Sequence, residues 1–117
     1  RMLIDKAIEL RPLAFLRGTT LRNGIALLDE AQNCSRAQIK MYLSRIGEGT
    51  TMIISGHPEQ NDLTGIYGVC DFETATSRIQ AGILDGDSGL SGRVGVVDFT
   101  GSKCERHPII EPLMRIL

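Results

Sequence analysis

The stretch Gly24-Ile-Ala-Leu-Leu-Asp-Glu30 decides the fold class predicted for this chain of 117 residues. Residues 25–28 form an unbroken apolar run, and two carboxylates, Asp29 and Glu30, follow it directly. A short apolar run without alternation is typical of a strand that is buried on both faces, as in parallel sheets. Because chemistry in such sheets gathers at the carboxyl ends of the strands, we expect the acid pair to stand at a functional edge.

The segments around this stretch alternate between strand and helix patterns. Ser35-Arg-Ala-Gln38 has the form of a capping box, which begins a helix that ends before Gly47. Apolar patterns predict the remaining elements: strands at 51–55 and 94–100, helices at 69–84 and after Pro108, and either a short helix over 2–9 or a helix leading into a strand at 8–10. This order predicts one α/β domain with a parallel sheet flanked by helices.

Composition and charge restrict the classes of function. A hydrophobic content of 42% and a charged content of 23% are those of an ordinary soluble globular domain. The formal net charge of −1 gives no electrostatic argument for a nucleic acid or an anionic membrane as partner, although a local basic patch stays open. No apolar run approaches the roughly 20 residues of a membrane span. Three widely spaced cysteines favour a reducing compartment, so we expect a cytoplasmic protein.

The acid pair on its own allows two interpretations. An Asp at a strand tip can hold a Mg²⁺ ion through water, and an adjacent Glu can polarise a water for attack on a γ-phosphate, which is the Walker-B arrangement. Alternatively, the two acids open the following turn and favour the N-terminus of the helix that begins near Ser35. The residues of this segment alone leave both interpretations open.

Five blocks of sequence resemble one known family, in the same order and at matching separations. They are Pro12-Leu-Ala-Phe-Leu-Arg-Gly-Thr-Thr-Leu21, Leu27-Leu-Asp-Glu-Ala-Gln-Asn33, Gln38-Ile-Lys-Met-Tyr-Leu-Ser-Arg-Ile-Gly47, Ser55-Gly-His-Pro-Glu-Gln-Asn-Asp-Leu63 and the stretch at 99–110. This pattern is similar to that of the PhoH-like family of P-loop ATPases, which look like the first motor domain of superfamily 1 helicases. The resemblance spans residues 12–117 and implies a RecA-like parallel sheet flanked by helices.

The resemblance implies a role for each matching site residue. Asp29 binds Mg²⁺, and Glu30 is the base that positions the attacking water. Gln60 is similar to the sensor that reports the state of the γ-phosphate. Arg106 resembles the family's near-C-terminal arginine, which neutralises transition-state charge in cis or across a subunit boundary. Arg17 follows the same logic as a residue that contacts bound ATP.

Both arginines also have a purely structural interpretation. Arg106 could form a surface ion pair with Glu105 or Glu111, which contributes at most about 1 kcal/mol. Arg17 could merely fix its loop. For both residues the functional and structural interpretations stay open.

The sequence departs from the family pattern at three points. His57 stands where the family has a carboxylate, and it either donates a hydrogen bond in its place or is an inert loop residue. Thr19 replaces an arginine, which removes a potential phosphate contact. The largest departure is that the 117 residues contain no G-x-x-x-x-G-K-[ST] sequence, the Walker-A loop that holds the phosphates. Since the chain also begins with Arg1 rather than Met, we expect residues 1–117 to be the C-terminal half of an ATPase domain.

Two hypotheses for function follow. The first is Mg²⁺-dependent ATP binding and hydrolysis by a PhoH-like protein of the phosphate-starvation type, with the Walker-A half of the domain as partner. This chain alone would then be inactive, and the resemblance allows RNA as a further partner. The alternative is a remnant of the same fold that no longer hydrolyses ATP and binds protein or RNA. Because a split domain exposes an apolar sheet edge or face, we expect homo-oligomers. We expect no membrane partner, since no apolar run is long enough to cross a bilayer.

Overall fold

The computed structural model describes residues 7–58, 70–99 and 109–116. In chain order, the described elements are a 3-10 helix at Leu13–Leu16, strand β1 at Gly24–Leu28, a second 3-10 helix at Ala31–Asn33, helix α1 at Arg36–Leu43, strand β2 at Thr50–Ile54, helix α2 at Asp71–Leu84 and helix α3 at Ile110–Ile116. Helices and a parallel pair of strands therefore share one chain, which confirms the predicted α/β class.

The sheet consists of β1 and β2, which pair in parallel from Gly24 opposite Thr50 to Leu28 opposite Ile54. Two parallel strands cannot be joined by a tight hairpin and need a crossover, which α1 supplies here. The parallel register brings the last residues of both strands to the same edge of the sheet. The segments that follow Leu28 and Ile54 therefore leave side by side.

Helix α1 begins at the predicted capping box. The Ser35 hydroxyl oxygen accepts a hydrogen bond from the Gln38 N–H at 3.3 Å, and the Ser35 N–H donates to the Gln38 side-chain oxygen at 2.8 Å. The Arg36 N–H also donates to a carboxylate oxygen of Asp71 at 2.7 Å. The free amides at the start of α1 are thus satisfied partly by the first residue of α2, which ties the two helices together.

The core lies between the sheet and these two helices. Ile39 of α1 and Phe72 of α2 are buried together with Ala31 and Cys70. The partly buried hydrophobic residues that pack against this cluster are Leu28, Cys34, Ile54 and Ala75. The cluster is therefore centred below the carboxyl ends of β1 and β2, next to the segments that leave the strands.

Helix α2, at Asp71–Leu84, confirms the helix predicted at 69–84. The Cys70 sulfur accepts a hydrogen bond from the Glu73 N–H at 3.4 Å, in the position of an N-cap. The chain then turns through Gly86, whose φ of 76° lies in the left-handed region. With 14 residues, α2 is the longest helix in the described ranges, and none of the helices there has both the length and the apolar character that a bilayer crossing requires.

The third strand predicted at 94–100 is wrong for residues 94–99, which are described and form no strand. The Val94 N–H donates to the Leu90 carbonyl oxygen at 3.1 Å, so this segment begins in a local turn. A strand needs a neighbouring strand to pair its backbone groups, and an apolar pattern does not supply one. Residues 8–10 likewise form no strand.

The prediction that β1 is buried on both faces is wrong within the described part of the chain. Ile25 and Leu27 are 77% and 63% exposed, and Ile53 of β2 is 46% exposed. Leu28 and Ile54 point to the opposite face and pack against the core. Because successive side chains of a strand alternate between faces, the described helices cover one face of the sheet and leave an apolar face open.

Candidate active site

The acid pair lies at the carboxyl end of β1, beside the end of β2. The Ser55 N–H donates to the Leu28 carbonyl oxygen at 2.9 Å, and the Ala31 N–H donates to the Ser55 carbonyl oxygen, also at 2.9 Å. Backbone hydrogen bonds therefore continue past the last paired residues of the sheet. These bonds lie on either side of Asp29 and Glu30, which are exposed between the hydrogen-bonded residues Leu28 and Ala31.

Glu30 occupies an unusual backbone conformation. Its φ of 52° and ψ of 40° lie in the left-handed region, which a residue with a side chain adopts only at a cost. The Glu30 carbonyl oxygen accepts a hydrogen bond from the Asn33 N–H at 3.0 Å and thereby opens the 3-10 helix at Ala31–Asn33. This conformation turns the chain sharply out of β1 and leaves the Glu30 side chain at the surface. Backbone strain of this kind is concentrated at functional sites.

The Asp29 carboxylate is held through one of its two oxygens. Its Oδ1 accepts a hydrogen bond from the Ser55 hydroxyl at 2.5 Å and another from the Glu30 N–H at 3.0 Å. These two donors, the hydroxyl first, lower the pKa of Asp29 from its usual value of 3.8. Among the described residues, none donates to Oδ2. The group is thus a fixed, ionised carboxylate with one oxygen available to a ligand.

The donor set fits a hydrated Mg²⁺ ion. This ion prefers oxygen ligands, keeps several of its waters and is bound by one or two carboxylates rather than by a complete protein cage. Asp29 offers such an oxygen at an exposed position, with Glu30 adjacent. In the ranges that the structure describes, no three His, Cys, Asp or Glu side chains form a metal-binding cluster. The described residues therefore suit a cation held partly by water.

Gln32 is a site residue that sequence reasoning missed. Its side chain is buried, with 3% of its surface exposed, and its Oε1 accepts a hydrogen bond from the His57 backbone N–H at 3.0 Å. This contact joins the segment after β1 to the segment after β2. The available signal was a polar residue two positions beyond the acid pair, but hydrophobic periodicity does not show that such a residue turns inward.

Gly56 makes this contact possible because it leaves room between Gln32 and the core. A Cβ atom at position 56 would lie 2.8 Å from Cε1 of Phe72 and 3.0 Å from Oε1 of Gln32. The aromatic ring and the amide therefore occupy the space that a side chain would need. The requirement for glycine here is a close approach, not an unusual φ.

The whole chain is similar to one known protein family. The family model described as PhoH-like protein matches residues 1–117. The chain belongs to the PhoH-like family.

Three curated relatives show how much of the family's length the chain represents. It is 36% identical over 105 residues to Protein PhoH of Escherichia coli (strain K12), which is 89% of the chain and 27% of the relative. It is 52% identical over 107 residues to a PhoH-like protein of Synechocystis, which is 92% of the chain and 30% of the relative. It is 33% identical over 116 residues to a PhoH-like protein of Bacillus subtilis, and this match covers 97% of the chain and 33% of the relative. The chain thus spans about a third or less of these relatives.

Arg17 of this PhoH-like chain lies at the other end of the strands from the acid pair. It follows the first 3-10 helix and precedes Thr19, whose carbonyl oxygen accepts a hydrogen bond from Arg45 at 3.4 Å ahead of β2. The Thr19 hydroxyl donates to the Leu16 carbonyl oxygen at 2.8 Å. Among the described residues, no hydrogen bond or ion pair connects Arg17 with Asp29, and its contact with ATP stays a prediction.

The remaining predicted residues are only partly described. The exposed His57 contributes its backbone N–H to the contact with Gln32, and no hydrogen bond of its imidazole ring is found within the described part of the chain. Gln60 and Arg106 lie outside the described residues, so their roles also stay predictions. The structure therefore brings together Asp29, Ser55 and the Gln32 contact at one edge of the sheet.

Proposed function

We propose that this PhoH-like chain carries the Walker-B acids of a Mg²⁺-dependent ATP-hydrolysing protein. The observation that carries the proposal is the state of Asp29. Its Oδ1 is fixed by Ser55 and by the backbone, and its Oδ2 accepts nothing from the described residues at the exposed carboxyl end of two parallel strands. This is the place where ligands bind to open parallel sheets.

Asp29 is the residue that would hold the cation, through water, and the hydrogen bonds that lower the pKa of its carboxyl stabilise the charged form. A bound Mg²⁺ would supply positive charge to offset the negative charge of the triphosphate. The Ser55 hydroxyl occupies one carboxylate oxygen, so the direction of the other is fixed before a ligand arrives. Such preorganisation is how an active site avoids reorganisation during the reaction.

Glu30 is the proposed base. Its side chain is exposed beside Asp29, and its left-handed backbone directs the chain away from the strand at this point. A carboxylate in this position orients and polarises the water that attacks the γ-phosphate. Gln60 as sensor and Arg106 and Arg17 as contacts to ATP complete the proposal on the strength of the family pattern.

The phosphate-binding loop has to come from outside these 117 residues, which contain no Walker-A sequence. We propose that it lies elsewhere in the natural protein or on a partner chain, and that this chain alone does not hydrolyse ATP. The open apolar face around Ile25 and Leu27 supports an assembly in which further polypeptide covers the sheet. The free thiols of Cys34 and Cys70 support a reducing compartment such as the cytoplasm.

A second candidate is a remnant that binds protein or RNA without hydrolysis. The observation in its favour is that the Thr19 hydroxyl is engaged with the Leu16 carbonyl oxygen and is not offered to a phosphate. His57, in the place of a carboxylate, likewise contributes only its backbone to a hydrogen bond in the described part of the site. Turnover by the natural protein distinguishes the two candidates.

The test is Glu30→Gln in the natural protein at full length, with Glu48→Gln as the matched control at an exposed loop position. Loss of the base should lower kcat for ATP hydrolysis by a factor of about 100 or more, while the Kd for ATP changes little. Glu48→Gln should match the parent protein in both measurements. Unchanged turnover in Glu30→Gln removes Glu30 from the mechanism, and the absence of a Walker-A sequence from the natural protein and its partners removes the proposed function itself.

A further inference from the structure

Gln32 is a buried amide beside the acid pair in sequence, and it has no direct part in the proposed reaction. Within the described residues, it is the polar side chain that the core buries, and it follows the acid pair in the 3-10 helix at Ala31–Asn33. Burial of an amide is costly unless it is hydrogen bonded. Its Oε1 finds the His57 backbone N–H, on the segment that leaves the neighbouring strand.

A second hydrogen bond, besides the one from His57, joins the segment after β1 to the segment after β2. The Ser55 hydroxyl donates to Asp29, and two residues further along, His57 donates to Gln32. Gly56, between them, packs so closely against Gln32 and Phe72 that no side chain fits. Residues 55–57 are thus clamped between the turn that follows β1 and the aromatic ring from α2.

We propose that Gln32 is a positioning residue for ATP hydrolysis, which acts by holding residues 55–57 so that the Ser55 hydroxyl stays on Oδ1 of Asp29. The inference rests on the proposed function, because it assigns Gln32 to the orientation of the same acid pair. Gln32 itself touches neither nucleotide nor water in this scheme. Without its acceptor, the backbone at His57 is released, and the direction of the Asp29 carboxylate is less well fixed. A small misplacement at such a site lowers the rate of chemistry far more than it lowers binding.

The experiment compares three variants of the natural full-length protein. Gln32→Met keeps the length of the side chain and removes the acceptor, and Gln32→Asn keeps the amide but is one methylene too short to reach His57. Gln80→Met, at an exposed position on α2, is the matched control. Hydrogen exchange of the His57 amide is measured without nucleotide, and kcat and the Kd for ATP are measured in parallel.

We expect the His57 amide to exchange about tenfold faster in both position-32 variants, since a typical hydrogen bond corresponds to about a factor of ten in an opening equilibrium. We also expect kcat to fall about tenfold or more, with the Kd for ATP within about twofold of the parent value. A purely structural role would instead lower the folded fraction and leave kcat per folded molecule unchanged. Gln80→Met should leave all three measurements unchanged.

Two results would overturn the inference and leave the proposed function standing. The first is unchanged exchange at His57 in both variants, which would show that the hydrogen bond does not protect this segment. The second is normal kcat in a folded position-32 variant while Glu30→Gln is inactive. If Gln32→Met does not fold, Gln32→Asn decides the outcome in the same way. Retained turnover in Glu30→Gln is the separate result that would refute the proposed function.

Discussion

Replacing Gly56 by alanine tests the packing that supports this site. The added Cβ would lie 2.8 Å from Cε1 of Phe72, 3.0 Å from Cδ1 of the same ring and 3.0 Å from Oε1 of Gln32. Carbon atoms prefer a separation of about 3.5 to 4.0 Å, so the ring or the backbone must move by roughly half an ångström to one ångström. Phe72 is buried in the core and cannot move freely.

The expected cost follows from these distances. Overpacking of a closely packed core typically costs about 1 to 3 kcal/mol, and the lower entropy of an unfolded alanine returns about 0.4 to 1 kcal/mol. We therefore expect a net loss of about 1 to 2 kcal/mol in the free energy of unfolding. With a urea dependence of about 2 kcal/mol per molar, the unfolding midpoint should fall by about 0.5 to 1 M.

The assay is urea unfolding of the natural protein, followed by circular dichroism. Gly95→Ala is the matched control, because a Cβ at position 95 meets nothing within 4 Å. Phe72→Leu provides a second check: it removes the ring atoms that clash, so Gly56→Ala should cost less in that background. A midpoint for Gly56→Ala equal to that of Gly95→Ala would refute the close packing of positions 32, 56 and 72.

Two further predictions concern the acid pair and the open face of the sheet. Ser55→Ala removes the main cause of the lowered pKa of Asp29, so this pKa should rise toward 3.8, as measured by carbon-detected NMR titration; Ser77→Ala, on the exposed side of α2, should leave it unchanged. Because folding depresses this pKa, the carboxyl contributes stability above about pH 4 and loses it as the pH falls through the folded-state pKa, so Ser55→Ala should show a smaller contribution that is lost at higher pH. The isolated 117-residue chain should self-associate through the exposed Ile25 and Leu27, and Leu27→Lys should weaken that association in light scattering. A monodisperse monomer of the unmodified chain would contradict this expectation.

The parts of the fold that the sequence predicted correctly depend on local signals. The capping box at Ser35 and Gln38 fixes the start of α1 through hydrogen bonds within four consecutive residues. The apolar runs of β1 and β2, at Gly24–Leu28 and Thr50–Ile54, end within one residue of the expected positions because polar residues and glycine follow them directly. Because residues that are close together in the chain determine these features, the features can be predicted from the sequence.

The parts that could not be predicted depend on which surfaces meet. The apolar run at residues 94–99 resembles a strand, but in the described structure no neighbouring strand pairs with it. Ile25 and Leu27 have the composition of buried residues, and they lie on the face that the described helices do not cover. An apolar pattern indicates that a segment tends to be buried, but it does not determine which other surface will cover the segment.

The candidate site also has some features that could be predicted from the sequence and others that could not. Asp29 and Glu30 follow an apolar run, and their place at a strand exit was predictable from that order alone. The hydrogen bonds around them join Asp29 to Ser55 and Gln32 to His57, and these partners lie 26 and 25 residues apart in the sequence. Only the parallel pairing of β1 with β2 brings these residues together, because it places both strand exits at one edge.

The conformation of Glu30 bears on the choice between the two candidate functions. Its left-handed φ is one that glycine adopts at no steric cost, and a glutamate there destabilises the turn relative to glycine. The fold alone therefore gives no reason for a charged side chain at this position. The exposed Asp29 carboxylate uses only Oδ1 in its hydrogen bonds with Ser55 and the Glu30 backbone, so among the described residues its Oδ2 has no structural role. An unused Asp29 oxygen and a charged neighbour in a strained conformation, at the edge where parallel sheets bind ligands, favour a chain that carries hydrolytic residues over a remnant that has lost them.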